Sequence, residues 1–332
     1  MQLTDITVLE TVSDWLNERR QVWLCTVVST YGSAPRPIGS LFATDGQSRA
    51  GSISGGCLEE AFLKMINQGE FSGPACLFDY GKHHDEEGSV FELPCGGTIR
   101  LLIEKLAPNP DSNHQLSVWL EAEQSSLSYC RRVNLESGLS QIEPEGQSSN
   151  QAVSVEANSV SLHYAQAWNV LLLGISLVSQ HVAQLARLAG YTVKICDIRK
   201  ELAGDWGYAL DNGGVDVCWQ SPDQFVEQNV NSCSVVLALA HDPRVDDLGL
   251  MAALESDAFY IGAMGSARTT ATRRERLRRI GEYSEQDISR LHAPIGLDIG
   301  SKTPVEIAIS IMAEVIAKRN GIKLAKVSIS PI

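Results

Sequence analysis

The densest group of chemically useful residues is Gly51-Ser-Ile-Ser-Gly-Gly-Cys-Leu-Glu-Glu60, where a strand-like run meets the pair Gly55 and Gly56 and then a helix that opens with Cys57 and Glu59. Free backbone N–H groups and the dipole at a helix start favour an anion, and glycines let a ligand approach the backbone. The same field lowers a thiol pKa and favours the thiolate that binds metals or attacks sulfur. A tight strand-to-helix turn around a small buried cysteine explains the spacing equally well. Leu93-Pro-Cys-Gly-Gly-Thr98 repeats the theme, with Cys95 beside Gly96 and Gly97 ahead of a strand. Two cysteines, each flanked by Gly-Gly, are harder to explain as packing. Between them, Asp79-Tyr-Gly-Lys-His-His-Asp-Glu-Glu-Gly88 reads as a solvated polar loop, and its spacing matches no standard zinc pattern. In Ser33-Ala-Pro-Arg-Pro-Ile-Gly39, prolines restrict the backbone on both sides of Arg36 and display its guanidinium to phosphate or carboxylate at lower entropic cost. An ordinary exposed arginine in a rigid turn is the alternative.

In the second half, Leu173-Gly-Ile-Ser-Leu-Val-Ser179 stands where a dinucleotide fingerprint would be, and Asp197 follows Gly174 by 23 residues, near the position of a ribose-binding carboxylate. The pattern is G-x-S-x-x-S, however, and Ser176 adds a side chain where a second glycine lets backbone touch pyrophosphate. NAD binding therefore does not follow from it. Further glycine-bearing strand ends are Ile261-Gly-Ala-Met-Gly-Ser266, which carries Gly262, Met264, Gly265 and Ser266, then Gly296, and then Asp298-Ile-Gly300. Ligands of open α/β sheets sit beyond such strand ends. Arg268, Arg273, Arg274, Arg276, Arg278 and Arg279 give the helix after Ser266 a positive field, and most are read as solvated surface. No G-x-S-x-G elbow is present, which sets Ser-His-Asp catalysis aside.

The elements that must position these residues fall into two groups. Helical periodicity at Ile6–Asn17 is followed by β-like runs at Val22–Ser29, Ser40–Thr44 and Ser52–Ser54, a helix at Leu58–Gln68 and a strand at Gly97–Lys105. From Pro108 the chain turns rich in Ser, Gln, Glu and Asn, with a helix near Val118–Glu123 and a strand near Ser128–Asn134. Ser137–Asn150 has no periodicity and reads as the linker. Strand and helix then alternate through Trp168–Leu173, Val178–Ala189, Thr192–Cys196, Ser234–Ala240, Asp246–Glu255, Phe259–Ile261 and Thr269–Ile280. A last helix starts at a Thr303-x-x-Glu306 box and places Val305, Ala308, Ile309, Met312, Val315 and Ile316 on one face. The expected class is α/β: a small α+β domain over residues 1–107, a middle segment and linker over 108–165, and a Rossmann-like domain with a mainly parallel sheet over 166–332.

A formal charge of −13 argues against nucleic acid or an anionic membrane as partner, since phosphate neutralisation needs the opposite sign. The opening MQLTDITVLETVSDWLNE lacks the pattern of a signal peptide, and no apolar run approaches a membrane span. Eight cysteines without a C-x-x-C pair fit a reduced, cytoplasmic setting.

Gly32-Ser-Ala-Pro-Arg-Pro-Ile-Gly39, Ser54-Gly-Gly-Cys-Leu-Glu59 and Pro94-Cys-Gly-Gly97 together resemble the amino-terminal domain of the XdhC/CoxI family. Tyr260–Ser266 and His292-Ala-Pro-Ile-Gly-Leu-Asp-Ile-Gly-Ser-Lys-Thr-Pro-Val-Glu-Ile-Ala308 resemble its Rossmann-type carboxy-terminal domain. The resemblance implies a cytoplasmic, dimeric accessory factor that binds the molybdenum cofactor (molybdopterin, or its cytosine dinucleotide form). Such a factor supports sulfuration of the cofactor with a cysteine desulfurase as sulfur donor, and delivers it to an apo molybdenum hydroxylase such as xanthine dehydrogenase or aldehyde oxidoreductase. On this reading Arg36, Gly55, Gly56, Gly96 and Gly97 hold the pterin phosphate region, with Glu59 in the same turn, and Cys57 and Cys95 lie near molybdenum. Gly174, Ser176, Asp197, Gly262–Ser266 and Gly296–Gly300 receive any nucleotide portion or close over the cofactor. Ser176 and Ser179 depart from the family, whose members often keep more glycines there. The rival reading is an NAD(P)-dependent oxidoreductase with Asp197 on the ribose. A third is a module that only binds protein.

Overall fold

Val8, Leu9, Val12, Trp15 and Leu16 recur at helical spacing, and all five are buried. They form the inner face of α1 (Leu3–Asn17) in a computed structural model that describes residues 3–31, 36–54, 56–81, 98–125, 127–146, 152–206 and 215–322. The chain divides into two compact units, Met1–Ala167 and Trp168–Ile332.

In the first unit, β1 (Val22–Tyr31), β2 (Leu41–Thr44), β3 (Arg49–Gly51), β4 (Ala75–Tyr80) and β5 (Thr98–Leu106) form an antiparallel sheet ordered β3-β2-β1-β5-β4. Alternation along β1 decides which helix meets which face. Val22 and Leu24 pack with α1, whereas Cys25 and Val27 pack with Leu58, Phe62 and Met65 of α2 (Cys57–Asn67). The strand expected at Ser52–Ser54 is instead β3, three residues earlier, because Ser52–Gly56 turns into α2 under hydrogen bonds to Glu59.

The described residues of the stretch read as middle segment and linker fold within this unit. It contributes α3 (Pro110–Gln124) and a second antiparallel sheet of β6 (Tyr129–Asn134), β7 (Ser140–Pro144), β8 (Val153–Val155) and β9 (Ser159–Tyr164), ordered β7-β6-β9-β8. β7 is a mostly exposed edge strand that pairs with β6 through its backbone, so it leaves no apolar period in the sequence. A buried ion pair joins the two sheets. Arg131 of β6 donates Nη1 to Glu104 Oε2 at 2.9 Å and Nη2 to Oε1 at 2.6 Å, and its guanidinium lies 3.9 Å from the Trp119 ring centre.

The second unit is a doubly wound parallel sheet. Its strands are β10 (Asn169–Leu173), β11 (Thr192–Cys196), β12 (Val217–Cys218), β13 (Ser234–Ala238), β14 (Tyr260–Ala263) and β15 (Leu291–His292), ordered β12-β11-β10-β13-β14-β15. All five residues of β10 and all five of β13 are buried, as expected when helices cover both faces. Those helices are α4 (Leu177–Leu188), α5 (Pro222–Asn229), α6 (Pro243–Leu254), α7 (Ala267–Gly281), the short α8 (Glu285–Ser289) and α9 (Pro304–Arg319). Chain direction along the sheet reverses between β10 and β13, the place where such sheets open a crevice beyond their carboxyl ends. The buried face of α9 is Ala308, Ile311, Met312 and Val315, rotated from the expected stripe, and Val305 and Ile309 are 42% and 47% exposed. Ala308 and Met312 pack towards α4 and the sheet, which sets that rotation.

Removing one member of the Arg131–Glu104 pair strands a buried charge. Glu104→Ala is expected to lower the stability of the chain by about 3–5 kcal/mol in urea unfolding, whereas replacing both by apolar residues of like volume should cost far less.

Candidate functional site

Strand direction alone collects the motifs of the first unit. β1 runs up to Tyr31, which pairs with Thr98, the first residue of β5. β4 runs up to Tyr80 opposite Ile99, and β3 ends at Gly51 opposite Phe42. The Arg36 loop, the Ser52–Gly56 turn that leads to Cys57, and the point where the chain enters β5 therefore share one end of the sheet. Residues 32–35, 55 and 82–97, which include Gly55, Cys95, Gly96 and Gly97, lie outside the described residues, as do His83 and His84 of the polar loop.

The turn before α2 encloses a carboxylate of its own. Glu59 is buried, and its Oε1 accepts from Ser52 Oγ at 2.7 Å, Ile53 N at 2.8 Å and Ser54 N at 3.1 Å. Its Oε2 accepts from Ser54 Oγ at 2.8 Å and Gly56 N at 2.9 Å. Burial alone would push this carboxyl up; the hydrogen bonds from Ser52 and Ser54 outweigh it and hold the group at about 2. The described amides of this turn, those of Ile53, Ser54 and Gly56, were expected to cradle an external anion and instead donate to Glu59. Ser54 Oγ also accepts from Leu58 N at 3.0 Å, which ties the turn to the first turn of the helix. Cys57 is the first residue of α2, at the positive end of the helix dipole. Gly56 takes φ +133°, and among the described residues a Cβ there would meet nothing within 4 Å, so those residues leave the backbone next to Cys57 open to approach.

Arg36 is fixed to the same turn. Its Nε donates to the Ser52 carbonyl at 3.2 Å, and its Nη2 lies 3.4 Å from Asp5 Oδ1, which accepts from Leu41 N at 2.9 Å. The side chain keeps 23% of its surface exposed. It is therefore neither a free surface arginine nor a sealed one.

At the crevice of the second unit the glycine turn is closed by its own side chains. Ser176 caps α4 by accepting from Ser179 N at 3.1 Å, and Ser179 Oγ donates to the Gly174 carbonyl at 2.6 Å. Gly174 has φ +95°, and a Cβ would come within 2.2 Å of the Ala240 Cβ, so close packing of two strand ends accounts for this glycine. Asp197 is wholly buried. Its Oδ2 accepts from Ile175 N and Arg199 Nη2, each at 2.7 Å, and its Oδ1 accepts from Arg199 N at 2.8 Å and Nε at 2.9 Å. Burial pushes this carboxyl up, but the Arg199 and Ile175 bonds hold it below the ordinary range. Both oxygens that a ribose would need are engaged with the turn itself.

The neighbouring strand ends have similar internal roles. A Cβ on Gly262 would lie 2.3 Å from Ile295, and one on Gly296 would lie 2.3 Å from Ser310 Oγ. The Gly296 amide donates to Glu314 at 2.6 Å. Ser266 caps α7 by accepting from Thr269 N at 3.1 Å, after Gly265 at φ +152°. Asp298 and Gly300 lie on an exposed stretch.

The arginine-rich helix is less solvated than its composition suggests. Arg268, Arg278 and Arg279 are exposed, but Arg273 is buried and donates to Asp246 at 2.9 Å, Asp247 at 3.0 Å and the Met264 carbonyl at 2.9 Å. Burial pushes the Asp246 carboxyl up to about 6 against the pull of Arg273. Sequence reasoning did not single out Arg199 or the Asp246–Arg273 pair. The Asp-x-Arg spacing at 197–199 was the available signal for the first, and nothing local signalled the second.

Residues 15–81 match the model of the XdhC and CoxI family, and residues 170–315 match that of the XdhC Rossmann domain. Among curated proteins, the chain is 27% identical over 322 residues to the molybdenum cofactor insertion chaperone PaoD of Escherichia coli strain K12, covering 94% of this chain and 88% of that one. It is 23% identical to a probable xanthine dehydrogenase subunit of Bacillus subtilis strain 168, covering 92% and 96% respectively. A crystal structure of a xanthine dehydrogenase from Bacillus halodurans has the same fold, with a TM-score of 0.72 at 20% identity over 98% of both chains. No helix among the described residues is long and apolar enough to cross a membrane. With both models matched in chain order, one on each compact unit, the protein belongs to the XdhC and CoxI family and its second unit is an XdhC Rossmann domain.

Proposed function

We propose that this protein is an accessory factor that holds the molybdenum cofactor at the loop end of its first unit and delivers it to an apo molybdenum hydroxylase, without turnover of its own. The observation that carries this reading is the shared sheet end, where Arg36 is bonded to the turn that presents Cys57 and the chain enters β5 just after Cys95. Similarity along 94% of the chain to a protein named an insertion chaperone supports it.

The residues present fit the group chemically. Molybdopterin joins a phosphate to a soft, dithiolene-bound metal. Arg36 offers a planar cation suited to phosphate, and cysteine thiolates suit soft metals. Among the described residues nothing stands where a Gly56 Cβ would be, which leaves a ligand a way to the backbone beside Cys57. When bound, the cofactor supplies the molybdenum centre that the client enzyme needs. Glu59 acts through position, since its five accepted hydrogen bonds hold the turn that sets where Cys57 begins the helix. The reading extends to sulfuration with a cysteine desulfurase as donor, because a thiolate at a helix start is suited to accept and pass sulfur. It also extends to a homodimer, to a cytoplasmic setting and to the plain molybdopterin or cytosine dinucleotide form of the cofactor. The NAD(P) alternative is disfavoured by the engagement of Asp197 with Arg199 and Ile175.

Three measurements follow from these contacts. Protein purified from a cofactor-producing host should carry molybdenum by elemental mass spectrometry, and Cys57→Ala or Cys95→Ala should each lower the loading about tenfold or more. Equal loading of both variants and the wild type would remove the thiols from the mechanism. Glu59→Gln should cost about 2 kcal/mol in urea unfolding, because a buried charged acceptor is lost. The Glu59 carboxyl is held below its ordinary 4.5, so its stabilisation is complete above that pH and is lost as pH falls towards about 2. The Gln variant should lack that acid-dependent part. Calorimetric titration with NAD(H) or NADP(H) should give no micromolar binding, and a clear binding heat would restore the oxidoreductase reading.

A further inference from the structure

One face of the small sheet in the first unit carries a group of donors, one buried and two half-buried, that the cofactor reading does not use. Cys130 on β6 and His163 on β9 are direct cross-strand partners. Glu145 follows β7 directly, and its amide donates to the Ser128 carbonyl at 2.9 Å. It lies two residues beyond Glu143, the β7 partner of Cys130. Strand alternation therefore sends all three side chains to one face, opposite Tyr129, Val133 and Leu162, which pack inwards. One donor atom from each of Cys130, Glu145 and His163 lies within 4.8 Å of the other two, and His163 Nδ1 is 2.6 Å from Glu145 Oε1.

We propose that Cys130, Glu145 and His163 form a zinc site with its fourth position open to water. One sulfur, one imidazole nitrogen and one carboxylate oxygen make a borderline-soft set that suits zinc better than magnesium or calcium. Zinc bond lengths set donor separations at about 3.5 Å in a tetrahedron, so the group needs only side-chain adjustment to close on an ion. The His163–Glu145 hydrogen bond would give way to two metal bonds, and the ion would link β6, β9 and the end of β7. A free nucleophilic Cys–His–Glu triad is the competing use of these residue types. A bound metal takes the sulfur as thiolate, whereas such a triad needs no metal, so a titration that reads a sulfur ligand separates the two.

The test uses metal-stripped full-length protein titrated with cobalt(II), whose thiolate charge-transfer absorption reports a sulfur ligand. One equivalent should produce the band, zinc should abolish it by displacement, and zinc should raise the unfolding temperature. The band should be absent in Cys130→Ser, and His163→Gln should weaken cobalt binding about tenfold or more, with far-ultraviolet circular dichroism confirming that both variants are folded. It should persist in a Cys57→Ala, Cys95→Ala double variant, which separates this site from the cofactor end. No band in the wild type, a band that survives Cys130→Ser, or a band lost in the double variant would each overturn the proposal.

Discussion

The first unit depends on a carboxylate enclosed by its own turn. Two serine hydroxyls and three backbone amides converge on Glu59, so an acid that would be costly to bury unpaired becomes the centre of a rigid strand-to-helix connection. That connection determines where α2 starts, and hence the position of Cys57 at the positive end of its dipole. It also fixes the Ser52 carbonyl to which Arg36 is bonded. Arg36, Ser52, Ser54 and Gly56 are thus tied to one another through these bonds before any ligand arrives, which lowers the entropy lost on binding.

The same device appears in the second unit with different residues. Asp197 collects the Ile175 amide and the Arg199 guanidinium, while Ser176 and Ser179 close the first turn of α4. A doubly wound sheet with strand order β12-β11-β10-β13-β14-β15 has its crevice where a dinucleotide would lie, yet the groups that usually greet one are bonded to each other here. Gly174, Gly262 and Gly296 each have a neighbour that a Cβ would strike, so packing explains them without a nucleotide.

Much of this was legible in the residues. Thr192–Cys196 is a strand with the bounds its pattern suggests, and the Thr303–Glu306 box does open the last helix. β7 was not legible, because an exposed edge strand held by backbone pairing needs no apolar period. The inward face of α9 was misread at Val305 and Ile309, since a helix with apolar residues on most sides does not announce which side its neighbours cover. Glu59 is the instructive case. Its position three residues after Gly56 signals a helix-start bond to the backbone, but spacing alone does not say whether the amides of a glycine turn await a ligand or already hold a carboxylate from the next turn of chain. The cross-strand meeting of Cys130 and His163, 33 positions apart in sequence, was equally invisible before the register of β6 and β9 was known.

The central claim is that the sheet end bearing Arg36 and Cys57, at the entry to β5, is where the cofactor sits. Mass-spectrometric alkylation rates of individual cysteines, measured on the full chain with and without bound cofactor, test it most directly. The account predicts that Cys57 and Cys95 are protected together when cofactor is bound, while Cys218 and Cys233 of the second unit react at unchanged rates. Unchanged reactivity of both Cys57 and Cys95 in loaded protein would contradict it.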